Sequence, residues 1–112
     1  MQDLKEITDI IFNAIDDKKG EDIKVIDIQE ISTLADYFII ATGDNINHVH
    51  SIADNVEEQL SKIKMNPKQI EGYQNANWVL MDYGNVVIHI FDRESRAFYN
   101  LDNIWKDGKI LA

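Results

Sequence analysis

The stretch from Trp78 to Phe91 constrains this chain more than any other: Trp-Val-Leu-Met-Asp-Tyr-Gly-Asn-Val-Val-Ile-His-Ile-Phe. Two runs of β-forming residues flank Gly84-Asn85, the pattern of a tight hairpin. So short a loop fixes the register. Tyr83 then faces Val86, Asp82 faces Val87, Met81 faces Ile88, Leu80 faces His89 and Trp78 faces Phe91. Val79, Met81, Tyr83, Val86, Ile88 and Ile90 share one face, which reads as core. Trp78, Leu80, Asp82, Val87, His89 and Phe91 share the other. That face mixes large apolar groups with a carboxylate and an imidazole, which suits a binding surface better than a core.

A chain of 112 residues is expected to form one domain and to bury enough surface to need no staples. It has no cysteine, which removes disulfides, thiolate catalysis and cysteine-based zinc sites together. That composition is compatible with a reducing cytoplasm, the expected location. No run approaches the roughly 18 apolar residues of a membrane span, and no signal peptide is visible. The net charge is −9, from 20 acidic and 11 basic side chains. Such a surface repels phosphate backbones and attracts a basic protein. Keeping the protein soluble is the blander use of the same charge.

Leu4, Ile7, Ile10, Ile11, Ala14 and Ile15 recur at helical spacing, with Gly20 the expected stop. Ile23 to Ile28 reads as a strand. Tyr37 to Thr42 is a continuous β-prone run, as in a strand buried on both faces. Asn45 or Asp44 can cap a second helix. Its apolar stripe is Ile46, Val49, Ala53, Val56, Leu60 and Ile63, and Met65-Asn66-Pro67 ends it. A short strand around Lys68 to Glu71 precedes the hairpin. Arg93 to Tyr99 follows it, and then a short helix at Leu101 to Trp105, closed by Asp107-Gly108. The order α-β-β-α-β-β-β-α predicts an α+β domain with a mixed sheet of about five strands and helices mainly on one face.

Asp36, Asp44, Asp82 and Asp92 are the carboxylates that could bind Mg²⁺ or share acid–base work. Asp44 lies at a cap position and Asp82 beside a turn, where structural roles are common. His48 and His50 are two apart on a helix and point to different sides, so they cannot chelate one metal together. His89 reads as a partly exposed packing residue. Thr42-Gly43-Asp44-Asn45 could hold an anion at a helix start or could simply cap it. Trp78, Phe91, Tyr99 and Trp105 gather in the last third of the chain. Aromatic residues ordinarily fill cores, but Trp78 shares its face with Asp82 and His89.

Asp36-Tyr37-Phe38-Ile39-Ile40, Thr42-Gly43, Ile52-Ala53-Asp54, Glu71-Gly72, Trp78 to Gly84, Val87 to Phe91, Arg96, Phe98-Tyr99 and Leu101 to Trp105 form an ordered set of motifs. Together they resemble the ribosomal silencing factor (Iojap-related) family. The resemblance covers residues 3–107. It implies a fold similar to nucleotidyltransferases without their catalytic carboxylates, and no cofactor or metal. It implies a repressor that binds the large ribosomal subunit through its protein L-fourteen and sterically keeps the small subunit from joining when nutrients are scarce. It implies a homodimer when free. The motif positions carry partner contact over to Trp78, Leu80, Asp82 and Tyr83. Tyr99, Leu101 and Trp105 are further candidates, supporting that surface from behind. The chain departs from the family where Asn45 replaces a usual serine, His48 a glutamine, Asn77 a glycine and Asn85 an aspartate. Two other readings stand beside this one. One is a Mg²⁺-dependent nucleotidyltransferase-like enzyme using Asp44, Asp82 or Asp92. The other is a bare dimerisation module with Trp78 facing its own copy.

Overall fold

The hairpin forms in the predicted register, from Trp78 opposite Phe91 to Asp82 opposite Val87. Gly84 takes the first loop position at φ 86°, where a side chain would be strained. The carboxylate of Asp82 accepts the Gly84 N–H at 2.8 Å and ties the turn to its own strand. Asn85 extends this corner: its carbonyl accepts the N–H groups of Asp36 at 2.8 Å and Tyr37 at 3.1 Å.

The computed structural model describes residues 3–104 and 108–111. Along the chain lie α1 (Leu4–Asp17), β1 (Glu21–Asp27), β2 (Tyr37–Gly43), α2 (Ile46–Ser61) and β3 (Gln69–Glu71). The hairpin strands β4 (Trp78–Asp82) and β5 (Val86–Asp92) follow, then α3 (Arg93–Tyr99), α4 (Leu101–Ile104) and β6 (Lys109–Ile110). The sheet order is β3-β4-β5-β2-β1-β6. β2 and β5 run parallel, and the other neighbours run antiparallel. A parallel pair needs a crossover, and α2 lies within the one joining β2 to β5. The sheet is mixed as expected. Its sixth strand, β6, pairs two residues with β1 and is too short to leave a pattern in the sequence.

The main core lies between one sheet face and the pair α1 and α2. Ile11, Ile15, Ile52, Val56 and Leu60 from the helices meet Ile39, Val79, Met81, Ile88 and Ile90 from the strands. Each such aliphatic burial contributes about 2 kcal/mol. The buried Asn55 amide donates to the Ala14 carbonyl at 2.8 Å, so one polar group fixes how the two helices sit together. The β2 run is buried from Phe38 to Gly43, as a central strand should be.

Three local expectations are corrected. The left-handed residue that ends α1 is Lys19, at φ 62°, not Gly20. Gly20 follows it and donates to the Ile15 carbonyl at 3.0 Å, while Lys19 donates to Asp16 at 2.9 Å, the paired bonds of a Schellman end. Gly20 is needed for closeness, since a Cβ there would lie 2.3 Å from the Ile15 side chain. Ile46, the first residue of α2, is exposed rather than part of the apolar stripe, and Ile52 is buried in the stripe instead. The second sheet face is also more covered than its composition suggested. Ile26, Ile28, Ala35, Phe38, Ile40, Phe91 and Leu101 form a smaller core there, with Trp78 and Val87 packed at its margin.

Candidate functional site

Trp78 stands where the covered part of the second sheet face gives way to solvent. It is half-buried. Its indole N–H donates to Nδ1 of His89 at 3.0 Å. Its ring lies 5.1 Å from Phe91 and 4.6 Å from Tyr99, centroid to centroid. Tyr99 in turn meets Phe98 edge-on at 5.0 Å. Phe98 is 78% exposed and Tyr99 43%. Leu80 and Asp82 continue the same strand face from Trp78, both half-exposed. Together these side chains make an aromatic and aliphatic surface with a carboxylate at one end.

α3 is held against the sheet by polar contacts. Asp92 caps it by accepting the Ser95 N–H at 2.8 Å. Arg93 donates to Glu21 at 2.8 Å and also to Asp44. Arg96 donates to the Thr42 hydroxyl at 2.8 Å and the Asp22 carbonyl at 2.9 Å. Asn100, at φ 50°, ends the helix and turns the chain so that Leu101 enters the second core. The Arg93 guanidinium holds the Asp44 carboxyl below its usual range.

The approach to Trp78 is fastened too. The Ala76 N–H donates to the Gly72 carbonyl at 3.0 Å, and the Asp92 N–H to the Asn77 carbonyl at 3.1 Å. Tyr73 stacks on His50 at 4.2 Å and donates its hydroxyl to Asp54 at 2.7 Å. That bond to a carboxylate raises the Tyr73 pKa.

The expected contact residues divide. Trp78, Leu80, Asp82 and Tyr99 share the surface. Tyr83 does not: it lies on the core face that alternation assigned it, 8% exposed. Burial pushes its phenol up to about 12. Leu101 is buried, in the smaller core against which Trp78 packs. Trp105 lies outside the described residues. His89, expected to be partly exposed, is 3% exposed, because Phe38 packs on it from β2 and Trp78 covers it from β4. Sequence reasoning missed both His89 and Phe98 as site residues. The diagonal relation of Trp78 and His89 across the hairpin was a usable signal. The exposure of Phe98 left none.

Three of the four candidate metal-binding carboxylates have partners in the structure. Asp44 faces Arg93, Asp82 holds the Gly84 N–H, and Asp92 caps α3. Among the described residues, no three histidine or carboxylate side chains are grouped so as to hold a metal ion. Thr42 to Asn45 reads as a helix cap, with Asn45 accepting the His48 N–H at 2.9 Å. The Asp44 carboxylate beside it would repel an anion.

Comparison with known proteins agrees with this frame. The family model described as "Ribosomal silencing factor during starvation" matches residues 1–111. The "Ribosomal silencing factor RsfS" of Bacillus subtilis is 40% identical over 106 residues, 95% of this chain and 90% of its own. A crystal structure of a Chromobacterium violaceum protein superposes with a TM-score of 0.91 at 30% identity, covering 94% of this chain and 88% of that one. One from Bacillus halodurans superposes at 0.82 with 37% identity, covering 90% and 94%.

Proposed function

This chain belongs to the ribosomal silencing factor family, and from that premise we propose that it represses translation by occupying the large ribosomal subunit. It docks on the subunit's protein L-fourteen and keeps the small subunit from joining when nutrients are scarce. It works in the cytoplasm and is a homodimer when free. The observation that carries the reading is the Trp78–Tyr99–Phe98 surface, an aromatic patch presented on a rigid strand and a polar-anchored helix. Aromatic anchors of this kind supply much of the energy of a protein interface. A net charge of −9 favours a basic partner and disfavours bare RNA. Asp82 adds a carboxylate for a lysine or arginine at the margin. A steric block requires no catalytic group. The Mg²⁺-enzyme alternative draws no support from the carboxylates, because among the described residues no three are grouped to hold a metal ion.

Co-sedimentation with isolated large subunits tests the proposal, using wild type beside Trp78→Ala and Leu80→Ala. Wild type is expected to bind. Each variant should bind more weakly, Trp78→Ala by about 2 kcal/mol or more, with an unchanged far-UV spectrum. No binding by the wild type overturns the proposal. Normal binding by both folded variants overturns the placement of the surface. Sedimentation equilibrium of the same proteins examines the homodimer: a dimeric wild type and a monomeric Trp78→Ala would put Trp78 against its own copy.

A further inference from the structure

We propose that His89 is a positioning residue, whose Nδ1 holds the Trp78 indole in the orientation that the surface presents to its partner. The inference rests on the reading of Trp78 as a partner anchor. The indole N–H donates to Nδ1 at 3.0 Å, which places the imidazole proton on Nε2. Nε2 is buried and has no hydrogen-bond partner among the described residues. A buried donor left unsatisfied is destabilising. Its neighbours on β5, Ile88, Ile90 and Phe91, are all fully buried and apolar. An aliphatic side chain at 89 would fill the same place beside Phe38 and remove the orphaned donor. What it could not supply is an acceptor for the indole. Trp78 packs its ring on Phe91 and Tyr99 at tilts of 31° and 48°, and the outer torsion of a tryptophan side chain has two broad settings. The hydrogen bond selects one. His89 therefore gives up some stability for a defined Trp78, a trade expected at a binding site and not in a core.

The test compares His89→Leu with His89→Asn in the full chain. Leucine keeps the apolar volume and removes the acceptor. Asparagine is smaller, but its side-chain oxygen takes the place of Nδ1. Three measurements are made on each: thermal stability, solvent exchange of the Trp78 indole proton by NMR, and large-subunit binding. His89→Leu should be at least as stable as His89→Asn, yet lose indole protection and bind about tenfold more weakly, the scale of one net hydrogen bond. His89→Asn should keep the protection and bind within about threefold of wild type. A merely structural role predicts that binding follows stability, and that order of results overturns the proposal. Unchanged protection in His89→Leu also overturns it. If the wild type itself fails to bind large subunits, the functional reading falls, and the indole exchange still decides whether His89 positions the ring.

Discussion

Gly72 lies directly against the backbone of Trp78: a Cβ at position 72 would stand 2.1 Å from the Trp78 carbonyl oxygen. Gly72 also sits at φ 77°, a conformation that side chains rarely adopt. The chain leaving β3 therefore crosses the start of β4 at a distance only glycine permits. Gly72→Ala must push Trp78 outward or distort the turn. We expect a loss of about 2 kcal/mol or more, from the strained φ and the close contact together. Urea denaturation gives the loss directly. A stability within error of wild type would show that the loop yields without disturbing β4.

Burial makes His89 an acid-sensitive point in the fold. Its pKa is pulled from the ordinary 6.5 to about 4 by desolvation. Between those values the unfolded chain takes a proton that the folded chain refuses, so acid favours unfolding. The stability is fully present above pH 6.5 and is lost as the pH falls toward 4, by up to about 3 kcal/mol. Protonation at Nδ1 would also remove the acceptor for Trp78. Denaturation curves from neutral pH down to about 4.5 should show wild type losing more stability than His89→Leu. Parallel losses in the two proteins would mean that His89 does not titrate as its burial dictates.

The hairpin and its register were legible because a short Gly-Asn loop leaves one alignment of two alternating strands. The main core was legible for a similar reason: α1 and α2 are long enough to show a helical stripe, and β2 is a continuous β-prone run. The second face was not. α3 has seven residues and α4 four, too short for a period to identify what they cover. The seat of α3 comes from Arg93 and Arg96 reaching residues more than fifty positions away, including Glu21 and Thr42. Charged residues on a short helix predict no such partners. The burial of Leu101 in the smaller core follows from that cover, whereas His89 is buried by Phe38 and Trp78 from the neighbouring strands.

The side chains of Asn45 and His48 each accept one backbone N–H at the start of α2. The Asn45 side chain accepts the His48 N–H at 2.9 Å, and His48 Nδ1 accepts the Asp44 N–H at 2.7 Å. Serine and glutamine, the residues usual in the resembling family, would make a capping box at the same spacing. Asn45 keeps the N-cap bond of that box, and His48 takes the N–H one residue earlier, that of Asp44. Asn45→Ala should lower stability by about 1 kcal/mol, and Asn45→Ser by only a few tenths. Thermal melts of the two variants check this order, and equal losses would mean that the side-chain oxygen is not what caps the helix.

Phe98 offers the cleanest separation of surface from scaffold. It is 78% exposed, touches Tyr99 edge-on, and lies beside the Trp78 cluster. Removing so exposed a ring should change stability by no more than about 0.5 kcal/mol. If the Trp78–Tyr99–Phe98 surface contacts the ribosome, Phe98→Ser should weaken large-subunit binding by about tenfold. Ile110 supplies the control. It is 54% exposed on β6, at the opposite edge of the sheet from β3 and β4. Ile110→Ser removes exposed apolar area without touching the aromatic surface, and its binding should stay at the wild-type level. Equal losses in the two variants would indicate that exposed apolar area in general drives binding. Full binding by Phe98→Ser would move the contact toward Leu80 and Asp82, at the other end of the same strand face.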